Sequence, residues 1–458
     1  MIRRRARMTL ALATVAALVG LAPVAARAGA PTDTLSDGTR AERWTLKNGL
    51  QVTVRNIPGC TGVAVVTAYR VGQNQDPPGH SGMADLLGEV QFTAATDGAP
   101  ERSRAEMEGL RPLGWNTQVT PRFTLLSEIA SAAQFPGALR QVADRMRGVT
   151  VTDSTLDRAR RTVMRDLGRS YADPRELSLS AELRELAQGV DDQVVLDRLA
   201  GRTLGDLEPQ DVRERLHRLY VPANAVLALA GDLSGVDVHA LVGQLFEPIP
   251  GGVASPEPAE PPLKAVSRAV RRPDLRRPLG AVGIIAPAIT DSLHPDFYLN
   301  ALLIGKYCEQ QWGPAPEPLA TRFRYPLLAD ARLAQFFPPA DPGETDPDQL
   351  GVAMQQAIEK LAVSIVDKET FDEQRINNQW IFGGPMTPSL MKRIRVHAGT
   401  LHTLASTMAV RALWGDEGFW ARYLKRFMNP HITTGDKWAD YFQSPDHIVR
   451  LLLTPARR

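Results

Sequence analysis

Eight histidines and two cysteines are the side chains of this protein best suited to holding a metal or activating a nucleophile, and their spacing argues against both. His80, His217, His239, His294, His397, His402, His431 and His447 are scattered along the chain. The closest pair, His397 and His402, is five residues apart and diverges on a helix. No H-E-x-x-H, H-x-x-E-H, G-x-S-x-G or Walker loop occurs. The histidines alone therefore predict no zinc site, and each reads as a surface or capping residue. Cys60 and Cys308 are too few for a disulfide scaffold or a cysteine-cluster zinc site. They could pair in an oxidising compartment if the fold brings them together; two isolated apolar cysteines are the default expectation.

The elements that must position any site are built from 458 residues, 43% hydrophobic and 23% charged. That length predicts two or more globular domains with real cores, and the apolar fraction excludes a disordered chain. A formal charge of +2, from 53 basic and 51 acidic residues, lacks the basic excess of a nucleic-acid binder. Residues 1–30 combine Arg3, Arg4, Arg5 and Arg7, an apolar run from Thr9 to Val24, and small residues at Ala26–Ala30. These are the parts of a secretory signal peptide. Its removal would leave 48 basic against 51 acidic residues. No other stretch is apolar enough to span a membrane, so an exported protein, periplasmic or secreted, is expected.

Two halves, 31–247 and 276–458, flank the Pro-rich stretch 248–275, which reads as an extended linker. In the first half, Glu42–Arg55 alternates around Asn48-Gly49, the signature of a type I′ hairpin. Strands are predicted at Val63–Tyr69, Phe123–Ala130 and Ala225–Ala230. Helices are predicted at Gly82–Thr93, Pro136–Met146, Leu156–Arg169, Pro174–Leu186 and Asp237–Phe246. The second half offers strands at Leu279–Ile289 and Ile448–Thr454, with helices at Pro295–Cys308 and Asp348–Val366. The Pro-rich 312–347 fits an interrupted hairpin or a long functional loop. The expected class is α+β, each half a mainly antiparallel sheet with helices packed on one face.

Residues 46–92 carry a resemblance. LKNGLQVTVRN followed by AYRVGQNQDPPGHSGMADLLGEVQF resembles the start of the insulinase/pitrilysin metallopeptidases, which read L-x-N-G-L-x-V, Y-R-V-G-S and G-L-A-H-F-L-E-H-M-x-F. Gly49, Leu50, Tyr69, Gly72, Gly82, Ala84, Leu87 and Phe92 match that frame. Tyr220-Val-Pro222-Ala-Asn224, then Gly231-Asp232, is similar to the family's Y-x-P-x-N…G-D segment. The resemblance is specific over about 40–250, and it implies a second half of the same fold.

In active relatives two histidines one helical turn apart hold zinc, and the intervening glutamate activates the metal-bound water. The matched positions here are Asp85, Gly88 and Glu89, and the downstream ligand falls at Asp166. Both imidazoles are replaced, and the base position has no side chain. A glycine inside a helix also costs about 1 kcal/mol relative to alanine. Asp85 and Glu89, at i and i+4, share a helix face that Asp166 could approach. Such a trio suits a hard cation better than zinc, or it pairs with arginines such as Arg165 and Arg169. No cofactor is expected, with weak hard-cation binding left open. Asn116 and Thr117 fall where the family's substrate-binding edge strand lies.

Three functions follow from the resemblance. The first is an inactive subunit that helps an active insulinase-family peptidase form a peptide-holding chamber, as a heterodimer. The second is a stand-alone periplasmic peptide-binding or chaperone-like module. The third is an active metallopeptidase with rearranged ligands.

Overall fold

The computed structural model describes residues 32–455 except 35–36, 173–175, most of 191–201, 257–260, 273–274, 314, 316–320, 326, 328–331, 341–345, most of 351–367, 416 and 431–435. The leader at 1–30, His431 and most of the helix expected at Asp348–Val366 lie outside the described residues.

The strands are β1 (Thr32–Thr34), β2 (Arg40–Thr45), β3 (Gln51–Asn56), β4 (Val63–Tyr69), β5 (Trp115–Val119), β6 (Thr124–Ala130) and β7 (Ala225–Gly231). The second half adds β8 (Val266–Arg272), β9 (Leu279–Ile285), β10 (Phe323–Arg324), β11 (Leu333–Phe336) and β12 (Ile448–Pro455). Helices of the first half are α1 (Met83–Thr93), α2 (Arg104–Leu110), α3 (Phe135–Arg147), α4 (Asp153–Ala172), α5 (Glu176–Gln188), α6 (Pro209–Leu219) and α7 (Val238–Phe246). Those of the second are α8 (His294–Trp312), α9 (Lys368–Asn378), α10 (Pro388–Val396), α11 (Ala398–Trp414), α12 (Glu417–Met428) and α13 (Asp436–Gln443).

The first sheet runs β1-β2-β3-β7-β4-β6-β5 and the second β10-β11-β9-β12-β8. Each holds a single parallel pair, β3 with β7 and β8 with β12, and its other neighbours are antiparallel. Read from the parallel pair outward, β3-β7-β4-β6-β5 and β8-β12-β9-β11-β10 are the same order. Two sheets of one topology, each joined by helices, give the α+β class with two homologous halves.

Strands β4 and β7 are buried on both faces, which explains their unbroken apolar runs. Val65, Leu227 and Leu229 meet Leu86, Leu139 and Phe246 of the half's own helices. The alternate residues Ala64, Val66, Ala228 and Ala230 meet Leu401, Leu404, Ala405 and Met408 of α11, from the second half. Small alanines on the strands let that helix sit close. The second sheet is covered reciprocally: Leu279, Ala281, Val449 and Leu451 pack on Leu179, Leu183 and Leu186 of α5, from the first half. Each half thus lends a helix to close the other's sheet.

Three local expectations need correction, and a fourth is decided. The Asn48-Gly49 hairpin has a longer loop, because β2 and β3 stop pairing at Thr45 and Gln51 and the Gly49 N–H closes on the Leu46 carbonyl at 3.0 Å, with Gly49 at φ +89°. Asn48 instead donates through Nδ2 to the carbonyls of Phe246 at 2.7 Å and Ile249 at 3.0 Å, tying the hairpin to α7. The linker is shorter than 248–275, because Val266–Arg272 forms β8. Its arginines hid the strand, and they suit an edge that must not pair with other chains. Strand β9 stops at Ile285, two residues before Pro287, which has no N–H to donate. Within 312–347, β10 and β11 pair antiparallel, Phe323 opposite Phe336, so an interrupted hairpin is present.

Candidate functional site

Helix α1 follows the turn that carries Asp76. Its N-cap, Gly82, has no side chain, and Asp76 supplies the cap from a distance. One carboxylate oxygen accepts the Gly82 N–H at 2.8 Å and the other the Ala84 N–H at 2.8 Å. Burial, reinforced by the nearby Asp85 carboxylate, pushes the Asp76 carboxyl up to about 7 against the opposing pull of those N–H bonds and Arg215. Asp85 lies in the first turn of α1, where a carboxylate suits the helix dipole, and accepts from Gln73 Nε2 at 3.4 Å.

Glu89, one turn further on, has only 4% of its side chain exposed. Arg104, the first residue of α2, donates to it through Nη2 at 2.7 Å and Nε at 3.1 Å. The same guanidinium donates through Nη1 to Asp166 of α4 at 2.6 Å. A planar fork thus bridges the carboxylates at two of the family's metal-ligand positions. Burial alone would lower the Arg104 pKa, and the two carboxylates more than reverse that, raising it. Arg165, one of the two arginines expected to pair here, makes a looser ion pair with Asp166 at 3.7 Å, and the Arg169 side chain lies outside the described residues. Asp85 is engaged with Gln73 and lies close enough to Asp76 to raise its carboxyl.

These residues do not fit zinc. They offer no imidazole or thiolate, position 88 has no base, and a protein cation joins Glu89 to Asp166. Among the described residues, no group of three His, Cys, Asp or Glu side chains is arranged to hold a metal.

Gly88 has a packing reason that helix propensity does not reveal. A Cβ built on it would stand 2.5 Å from Cγ2 of Thr117 on β5. The helix and the edge strand touch at the position the family gives to its base. Thr117 faces α1, Asn116 is exposed, and among the described residues β5 is the last strand of its sheet, paired with β6. Beside it opens a cavity of about 460 Å³, lined by Arg104, Glu108, Arg111, Asn116, Thr117 and Asp166 among others. Behind the strand, the buried Glu128 of β6 bonds both Arg111 and Arg145, and Arg111 also reaches Gln141 Oε1 at 2.7 Å.

Among the described residues, the histidines do not gather into one site. His80 Nδ1 meets the Thr203 carbonyl at 3.1 Å. His239 meets Glu42 at 3.0 Å. His294 is fully buried between Tyr423 at 2.6 Å and Tyr325 at 2.9 Å. His402 meets Ser127 at 2.7 Å. Cys60 and Cys308 are both free thiols, and burial pushes them up to about 11 and about 12. The Y-x-P-x-N…G-D segment is structural. Tyr220 packs on Tyr69 at 4.7 Å, Asn224 donates to the Leu219 carbonyl at 2.8 Å, and Asp232 accepts the Gly59 N–H at 2.8 Å.

Arg104 is the residue that sequence reasoning missed. One signal was available: Ser103 and Glu106 form a capping box that fixes the start of α2 at Arg104.

Comparison with known proteins supports the resemblance. Residues 206–378, from α6 to the end of α9, match the family described as Peptidase M16 inactive domain. No curated protein matches the chain by sequence. Among solved structures, the fold is similar to a protease from Helicobacter pylori, with TM-score 0.64 and 16% identity over 91% of this chain and 100% of that one. It is similar to the periplasmic protease PqqL from Escherichia coli, with TM-score 0.65 and 14% identity over 94% of this chain and 48% of that one. Pitrilysin gives TM-score 0.60 and 15% identity over 94% of this chain and 47% of that one. The chain therefore spans about half the length of PqqL and of pitrilysin.

Proposed function

On the premise of an insulinase/pitrilysin homologue, we propose that this chain is the non-catalytic subunit of an exported metallopeptidase complex. It helps form the chamber that holds an extended peptide. The observation that carries this function is Arg104, whose guanidinium ties Glu89 to Asp166 where an active relative would place metal ligands. With two of the ligand-position carboxylates tied to Arg104 and Gly88 pressed on Thr117, the described residues at these positions offer no group to activate a metal-bound water. The peptide-holding part is kept: β5 remains a sheet edge beside a roomy polar cavity, able to take another strand by main-chain hydrogen bonds.

On this reading the chamber is completed by an active homologue that carries the intact H-x-x-E-H motif. Export rests on residues 1–30, and no described helix is long and apolar enough to cross a membrane.

A stand-alone peptide-binding module is the second function with an observation behind it, because the chain covers the full length of the Helicobacter pylori protease. An active peptidase with rearranged ligands draws no support from the geometry around Arg104. Co-expression with an active homologue separates the three. Co-elution with a changed cleavage rate is expected of the subunit. Elution alone, with the enzyme's rate unchanged, sinks it. Peptide binding without a partner would favour the module. Stoichiometric zinc and chelator-sensitive cleavage by the purified chain would establish the active peptidase.

A further inference from the structure

The sheet edge at β5 has a second cavity, on the face opposite α1. It measures about 360 Å³ and lies where the two halves meet. Gln118 of β5 and Phe123 and Leu125 at the start of β6 form its first-half wall. Tyr298, Tyr325, Leu327 and Trp380 close it from the second half, and α11 contributes His402 and Thr403 at its side. Among the described lining residues, none is Lys, Arg, Asp or Glu. His402 is held toward its neutral form by burial, and its Nε2 is engaged with Ser127. Tyr325 is fixed from behind by His294 at 2.9 Å.

Resting on the peptide-holding function above, we propose that this cavity receives one aromatic side chain of an extended peptide added to β5. Side chains of a strand alternate between faces with a period of two. Thr117 points toward α1 and the Arg104 cavity, and Gln118 lines the aromatic one. A peptide strand pairing with β5 follows the same alternation, so a residue beside Gln118 enters the aromatic cavity while its neighbours face the charged one. The volume is at the small end of ligand cavities and suits a single bulky side chain rather than a whole ligand. The apolar rings reward burial, and a charged side chain there would lose its hydration with no counter-charge. The recognised class is a neutral aromatic residue flanked by polar ones.

The test is binding of the full chain to short extended peptides that differ at one central position, Phe, Ala, Lys or Glu, with Ser and Thr around it. Phe is expected to bind about tenfold or more tighter than Ala, and Lys and Glu no better than Ala. Thr403 is exposed at the cavity wall, so Thr403→Trp fills the space from the surface and should cut the Phe advantage to less than twofold. Ser406→Phe, from the next turn of α11, is the second filling variant, and circular dichroism checks the fold of each. If peptides bind without an aromatic preference, or keep that preference in both filled variants, the cavity assignment is overturned and peptide holding stands. If no peptide binds at all, both fall.

Discussion

The two halves share one five-strand order, and the comparison between them is sharpest at the edge formed by β5 in the first and β10 in the second. In the first, β5 is five residues long, borders open cavities on both faces, and is backed by the buried Arg111–Glu128–Arg145 group. In the second, β10 is two residues long, and Phe323 lays its ring on α8 at Gly305, where a Cβ would stand 2.3 Å away. Phe323 also packs on Phe336 at 4.9 Å. Both halves place a glycine of the connecting helix beneath the edge strand, Gly88 under Thr117 and Gly305 under Phe323. One fills the contact with an aromatic ring, and the other keeps a small hydroxylated residue and surrounds it with charge. Beside β10 the buried Arg322 donates to the carbonyls of Phe337 at 3.0 Å and Trp312 at 3.3 Å. Beside β5 the buried arginines meet a carboxylate instead, so the two edges are braced by different chemistry.

The largest effect should come from treating the halves as independent. Cutting the chain in the linker near residue 256 strips α10 and α11 from the first sheet and α5 from the second. It exposes Ala64, Val66 and Ala228 on one side and Leu279, Val449 and Leu451 on the other. Each fragment alone is expected to lose its cooperative unfolding transition, and mixing the two should restore it. Two fragments that each melt cooperatively would show that the helix exchange is decoration. Next in size is Glu128→Ala. It leaves Arg111 and Arg145 buried without their counter-charge and should cost about 3–5 kcal/mol in urea unfolding. A loss below about 1 kcal/mol would mean that the group behind β5 is as dispensable as a surface pair.

Much of this arrangement was legible in residue patterns. The run AVLALA at 225–230 alternates leucine and alanine because one face meets bulky helices and the other a closely packed one. The spacing of Asp85 and Glu89 placed them correctly on one helix. What stayed hidden depends on contacts far apart in sequence. Arg104 meets Asp166 across 62 residues, and no local pattern marks that pairing. The covering role of α11 was equally hidden: its apolar character is plain, but its partners on β4 lie more than 300 residues away in sequence. β8 was missed because its sequence, VSRAVRR, carries too many arginines to show a strand's alternation. Gly88 read as a pure cost to its helix, since only the folded edge reveals Thr117 above it.

That last contact supports a smaller and sharper test. Gly88→Ala should gain helix propensity of about 1 kcal/mol yet lose more to the clash with Thr117, for a net loss of about 1–2 kcal/mol. Thr117→Ser removes the offending methyl, so the double variant should recover most of that loss, a coupling that a double-mutant cycle reads directly. Gly305→Ala should be costlier, because its neighbour is the Phe323 ring and not a single methyl. Equal and additive effects at both glycines would erase the contrast between the two edges.

The smallest expected effect concerns Asp76, which holds the start of α1 and has no described counterpart in the second half, where Pro295 opens α8. Its folded carboxyl is raised to about 7 from 3.8 by burial and then by Asp85, while Arg215 and the two backbone N–H bonds pull the other way. A carboxyl raised on folding favours the native state only while protonated. The stability it contributes is fully present below pH 3.8, shrinks as the pH rises, and is gone above about 7. Between pH 6 and 8, the native protein should lose on the order of 1 kcal/mol from this group. Asp76→Asn stays neutral throughout and keeps one oxygen to accept an N–H. Its stability should be flatter by that amount over the same interval, as denaturant melts at pH 6 and pH 8 would register. Parallel slopes for the two proteins would place Asp76 in ordinary solvent, and the first turn of α1 would then be held as loosely as any exposed cap.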